Sequence, residues 1–168
     1  MIKHSVSVRN LIEFVYSGGD IDNRYANVLR AKDGVAAHQY VQKGYGAGAK
    51  AEVSVSYTEV LDDVELILSG RIDGLFIDED NKVTIDEIKS TSKDIIGLEA
   101  PADIHLLQAK FYAFMYAYDA GVENISVMIT YINPLDKTTK IFNFTYDIGQ
   151  LKDEVFGVIL LYLDYLGK

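Results

Sequence analysis

The stretch VELILSGRIDGLFIDEDNKVTIDEIKS, residues 64 to 90, decides how the chain is read. Its first half is apolar on both alternating sets, Leu66, Leu68, Ile72 and Phe76 against Ile67, Leu75 and Ile77, as expected of a central strand covered on both sides. Asp78-Glu79-Asp80-Asn81 supplies turn residues, and Lys82 to Ser90 returns as a second strand, so the two predict a hairpin. Along the returning strand Val83, Ile85, Glu87 and Lys89 share one face, while Thr84, Asp86 and Ile88 share the other. An acid and a base thus continue an apolar face. Either charge buried alone is strongly destabilising, so the two must be paired with each other, bound to a cation or brought to a sheet edge.

Asp73 poses the same problem one strand earlier. In a regular strand it shares a face with Ile67, Leu75 and Ile77, and it stands between Gly70 and Gly74, where missing side chains let another group approach the backbone closely. The hairpin brings Asp73 and Glu87 toward each other from neighbouring strands. Two carboxylates that close form a hard-cation site or share a proton. Magnesium and manganese take oxygen ligands, and Lys89 on the side of Glu87 places an ammonium where it can orient water or offset charge on a phosphate.

Working outward, residues 5 to 17 carry Val8, Leu11, Ile12 and Val15 at helical spacing, ended by Gly18-Gly19. Residues 27 to 43 place Val28, Ala31, Val35, His38 and Val41 on one face of a second helix, broken by the glycine-rich Gly44 to Gly48. From Glu52 the period becomes two, with Val53, Val55 and Tyr57 on one side of a strand. Residues 103 to 120 form a helix with Leu107, Phe111, Phe114, Met115 and Tyr118 on a broad apolar face and Gly121 as its stop. Residues 125 to 132 and 139 to 146 read as strands around Asn133-Pro134, and 150 to 166 as a last helix. That helix is apolar nearly all round from Phe156 to Leu163, so it either packs deep in this domain or meets a neighbour. The expectation is an α/β fold in the order ααβββαββα, a mixed central sheet flanked by helices.

In this arrangement Asp73 followed by Glu87-Ile88-Lys89 resembles the D…E-x-K core of the PD-(D/E)XK nuclease superfamily. The chain resembles its RecB-like branch in particular, where a helical Gly-x-x-x-His precedes the core, as Gly34 to His38 does, and a Gln-x-x-x-Tyr follows it, as Gln108 to Tyr112 does. The likeness spans roughly residues 9 to 146 and is similar to the nuclease-like segments that precede DinG-type helicases. It implies a restriction-endonuclease-like core, a magnesium or manganese ion held by His38, Asp73, Glu87 and the carbonyl of Ile88, catalysis by Asp73, Glu87 and Lys89, and substrate binding by Gln108 and Tyr112. It implies DNA as substrate, and a single nuclease domain over 1–168 that either stands alone or forms the N-terminal part of a larger helicase-nuclease. Ile72 takes the place of the proline that gives the motif its name.

Composition sets limits on this reading. With no cysteine among 168 residues there is no thiolate zinc site and no cysteine-ligated iron–sulfur cluster. The first residues lack the apolar centre of a secretory signal, and no run approaches a membrane span, so a soluble, cytoplasmic protein is expected. A net charge of -9 opposes non-specific coating of nucleic acid, unless a bound cation or a partner offsets it. The acidic balance keeps open a catalytically silent DNA-binding or docking module of a helicase complex, and a Holliday-junction resolvase is a further alternative. Three other motifs fail. Asp78 to Lys89 lacks the glycine and glutamate of an EF-hand, Gly44 to Lys50 does not match a P-loop, and no G-x-S-x-G elbow surrounds Ser5, Ser54 or Ser90. His105, three residues before Gln108, either joins that helix face or is a solvated helix-start residue, and Glu52 reads as a surface residue at the start of a strand.

Overall fold

The hairpin is present: β3 (Val64–Ile77) and β4 (Val83–Ser90) pair antiparallel, from Ile77 with Val83 to Gly74 with Asp86. The computed structural model describes residues 1–16, 31–92 and 94–167. Around the hairpin stand β1 (Ile2–Ser7), α1 (Val8–Tyr16), α2 (Ala31–Lys43), β2 (Ala49–Leu61), α3 (Asp103–Ala120), β5 (Asn124–Ile132), β6 (Thr139–Asp147) and α4 (Ile148–Tyr165). The six strands form one mixed sheet in the order β1-β3-β4-β5-β6, with β2 also on β3. β1 and β5 run parallel to β3 and β4 respectively, and the other pairs are antiparallel. This is an α/β architecture with four helices among the described residues, compatible with a restriction-endonuclease-like core.

The topology places an opening in the sheet. β2 occupies one edge of β3 from Val64 to Phe76, so β1 and β4 must share the other edge end to end. β1 covers Val64 to Ser69 and β4 covers Gly74 to Ile77, which leaves Gly70 to Asp73 between them. At this fork β1 ends and the chain turns into α1, with the Ser7 hydroxyl accepting from the Asn10 amide at 3.1 Å as a helix cap. β4 meanwhile leaves β3 and continues along β5 to Ser90.

One face of the sheet carries the main core. Phe111, Phe114 and Met115 of α3 pack there with Leu66, Leu68, Ile72, Ile85, Val127 and Ile129, and α1 and α4 add Leu11, Val155 and Ile159. Full burial of each such phenylalanine contributes about 1.5–3 kcal/mol. The opposite face carries a small cluster, in which Ala37 of α2 meets Ile88 and Ile132, flanked by Val41 and Tyr45.

Four expectations need correction. The first helix does not begin at residue 5, because Ile2 to Ser7 form a parallel strand whose partner lies about sixty residues away and whose Lys3, Ser5 and Ser7 disguise it; the order is βααβββαββα. The face of α2 is rotated, with Val35 57% exposed and Ala37 buried instead. Val28 and the Gly18-Gly19 stop lie outside the described residues. On β3 the buried set runs Leu66, Leu68, Ile72 and then Leu75, so the alternation changes phase at Asp73, and Ile67 does not share its face with Leu75. Opposite Asp73, Glu52 adopts φ +58 and takes no ladder partner, although Ala51 with Gly74 and Val53 with Ile72 keep one register on either side. The change coincides with the left-handed conformation of Glu52, and neither strand carries an inserted residue. Finally, α4 starts at Ile148 under an Asp147–Gln150 capping box, and only one of its faces is covered: Leu151, Val155, Val158 and Ile159 are buried, while Leu160 and Leu161 are exposed.

Candidate active site at the strand fork

Where β3 and β4 part, the Ile88 amide loses a strand partner and Asp73 replaces it, its Oδ2 accepting from Ile88 N at 2.8 Å. The carboxylate is pinned by its own hairpin. Asp73 Oδ1 lies 3.8 Å from His38 Nδ1 on α2. Burial pushes His38 below its ordinary value, with Lys89 adding to the effect, so the ring is neutral at neutral pH and this proximity is no ion pair. Gln42, one turn further along α2, donates to the Asp73 carbonyl and to Glu52 Oε1, each at 3.0 Å.

Glu87 and Lys89 keep the alternation expected of them and face α3. Lys89 Nζ stands 3.3 Å from Glu87 Oε1 and donates to Gln108 Oε1 at 2.7 Å. Gln108 Nε2 in turn donates to the Tyr112 hydroxyl at 2.8 Å. Both polar ends of Gln108 are therefore engaged within the protein, and the Gln108–Tyr112 pair fixes where the ammonium sits. Glu87 is 4% exposed, and its Oε2 is the one buried side-chain oxygen or nitrogen among the described residues with no hydrogen-bond partner. Burial pushes Glu87 up to about 8 against the pull of Lys89, and Asp73 up to about 6 against the Ile88 hydrogen bond and Lys89.

The two glycines bracketing Asp73 each admit a tyrosine. A Cβ on Gly70 would fall 2.4 Å from the Tyr112 ring, and one on Gly74 would fall 2.3 Å from the Tyr45 hydroxyl. Tyr112 is buried and cannot swing aside into solvent. Gly70→Ala is expected to cost about 1–3 kcal/mol as an overpacked site. It should also displace the Tyr112–Gln108–Lys89 chain, read as a lower melting temperature together with slower turnover of any substrate; a wild-type melting curve would show the contact to be soft.

Sequence reasoning missed the group behind the sheet. Asp86, 1% exposed, accepts from the Tyr45 hydroxyl at 2.6 Å and from Thr130 Oγ1 at 2.7 Å. This network ties the loop after α2 to β4 and β5, and so holds His38 over Asp73. Alternation places Asp86 between Thr84 and Ile88 on the face opposite Glu87, and the adjoining Ile88 is the one sequence signal of its burial. His105 is partly buried, its Nδ1 2.8 Å from the Tyr131 hydroxyl, and it joins Gln108 on the cleft wall instead of standing as a solvated helix-start residue.

A cleft of about 560 Å³ opens above this region, lined by Arg9, Gly34, Val35, His38, Ile88, Lys89, Ser90, His105 and Gln108 among others. Asp73, Glu87 and Tyr112 are not in its lining; the acids lie just beneath. Among the described residues no three His, Asp or Glu side chains already converge closely enough to hold a metal ion. The expected ligands His38 and Asp73 do meet, Glu87 sits with Lys89, and the Ile88 carbonyl shares the strand edge of the amide that Asp73 binds. A second hollow of about 380 Å³ between α1, α3 and α4 lies away from all of them and contains the Lys110–Glu154 ion pair.

The fold has a solved counterpart. The structure described as "Crystal structure of SSO0001" is 21% identical, covers 94% of this chain and 76% of its own, and superposes with a TM-score of 0.59. This likeness is one of fold. Rai1 of Scheffersomyces stipitis, solved also in complex with (3'-NADP)+ and calcium ion, matches 67% of this chain and 32% of its own at 14% and 13% identity, with a TM-score of 0.29. No protein-family model and no curated protein matches the chain. No helix among the described residues is long and apolar enough to cross a membrane.

Proposed function

We propose that the chain is a magnesium- or manganese-dependent DNA nuclease of the PD-(D/E)XK type, hydrolysing phosphodiesters as an exonuclease or single-strand nuclease. One observation carries the reading: Asp73, Glu87 and Lys89 gather at the strand fork, and a buried carboxylate oxygen of Glu87 has no hydrogen-bond partner among the described residues. An uncompensated buried oxygen is costly unless something else binds it, and a hard cation is the fitting ligand. The donor set suits such an ion, namely Asp73, Glu87, the Ile88 carbonyl and a neutral His38. When bound, the cation supplies a Lewis acid and an acidified water.

The protein's own groups do the rest. Asp73 keeps one oxygen fixed to the main chain and turns the other toward His38. Lys89, oriented by Gln108, faces the cleft with a positive charge that can stabilise an anionic phosphate or position a water. Arg9 on the cleft wall adds a second positive group to an otherwise acidic chain.

The test is cleavage of single-stranded, duplex and branched DNA with manganese and with chelator, beside Asp73→Ala. Activity should require the metal and fall to background in the variant; activity that survives chelation removes the proposal. A preference for branched DNA would point to a resolvase. A second reading, a silent DNA-binding or docking module of a helicase complex, is favoured by the net charge of -9 and by acids that lie beneath the cleft floor. It predicts binding without cleavage under every metal condition.

A further inference from the structure

His105 stands at the start of α3, on the cleft wall shared with Lys89 and Gln108. Its Nδ1 lies 2.8 Å from the Tyr131 hydroxyl, and that hydroxyl accepts the Ala102 amide at 3.0 Å. A phenol has a single hydrogen to donate. Were the imidazole to donate from Nδ1, the hydroxyl of the buried Tyr131 would accept twice, and its own hydrogen would have no acceptor among the described residues. The satisfied arrangement has Tyr131 donating to Nδ1, so the ring hydrogen of His105 resides on Nε2. No protein group among the described residues accepts from Nε2, which leaves it to the cleft.

We infer that His105 is a binding residue whose tautomer is set by Tyr131 and whose Nε2–H donates to a non-bridging phosphate oxygen of a nucleic-acid strand in the cleft. This rests on the proposed function and adds to it a contact outside the D…E-x-K set. Burial, then the neighbouring Lys89 ammonium, pushes His105 down to about 4, so the ring stays a neutral donor through the physiological range. Such a donor works without the desolvation cost of a second cation beside Lys89. It also grips phosphate without base readout, as expected of a nuclease indifferent to sequence.

Two measurements test it on the whole chain. In ¹⁵N-histidine-labelled protein from pH 5 to 8, His105 should show an unprotonated Nδ1 and a protonated Nε2. Adding a single-stranded oligothymidylate with chelator present should shift that Nε2 resonance. By fluorescence anisotropy with a labelled oligothymidylate, His105→Asn keeps an acceptor for Tyr131 but loses the Nε2 donor, and should bind about 10-fold or more weakly at an unchanged melting temperature. His105→Gln, whose amide nitrogen reaches the Nε2 position, should recover most of the affinity. A protonated Nδ1, a charged ring, or wild-type affinity in His105→Asn overturns the inference while DNA cleavage by the wild type leaves the nuclease reading standing. Absence of both binding and cleavage by the wild type ends both.

Discussion

Glu87→Gln is expected to make the protein more stable at pH 8 and to abolish its cleavage of DNA. The glutamate is buried, has no partner for Oε2 among the described residues, and is pushed up to about 8. Because the folded value lies above the unfolded one, the folded state holds the proton more tightly. Its contribution to stability is complete below the unfolded value, near 4.5, and is lost as pH rises through about 8. Asp73, pushed up to about 6, adds a smaller loss of the same sign at lower pH. With chelator present, the wild-type melting temperature should therefore fall between pH 5 and 8, and Glu87→Gln should flatten most of that slope. Removing a ligand and charge stabiliser of this kind costs on the order of 10³-fold in rate or more. A variant that gains stability while losing activity is the signature of a residue kept for chemistry. Retained cleavage would show that Glu87 is a structural acid and would remove it from the proposed catalytic set.

Lys89→Ala separates the two duties of the ammonium. Chemically, its loss removes the positive group facing the cleft and should slow cleavage about 10²–10³-fold. Structurally, it strips Glu87 of its ion pair and Gln108 of its donor. Glu87 then responds by binding its proton more tightly, so the penalty should be small at pH 5 and larger at pH 8.5, where a buried anion must either persist unpaired or take up a proton from a dilute pool. Chemical denaturation at the two pH values measures the difference. Equal penalties would mean that Lys89 does not hold the Glu87 charge.

The hairpin, the alternation of β4 and the crowding around Gly70 and Gly74 were legible because they are local: a period of two, a turn cluster and two missing side chains bracket Asp73. The bounds of the long helix α3 were legible to the residue, since its Gly121 stop needs no partner to be recognised, although Tyr118 of its expected apolar face is 57% exposed. β1 was hidden because six residues with four polar side chains acquire a strand identity only from a parallel partner far along the chain. The phase change at Asp73 was equally hidden, for it depends on Glu52 taking a left-handed conformation on the opposing strand. Of the candidate site, the residues proposed to make chemistry could be named from the sequence, whereas those that hold them (Gln42, Tyr45, Thr130 and Tyr131) could not. Their roles come from hydrogen bonds that span 26 to 44 positions, or 31 in the case of Gln42.

The fork along Gly70 to Asp73 is a gap whose width depends on where two neighbouring strands stop, so it is sensitive to chain length as well as to side chains. Adding two residues to the end of β1 would let main chain zip along the vacant rim and fill the space beneath α1. Such an insertion would close the fork by strand pairing while leaving every acid of the sequence in place.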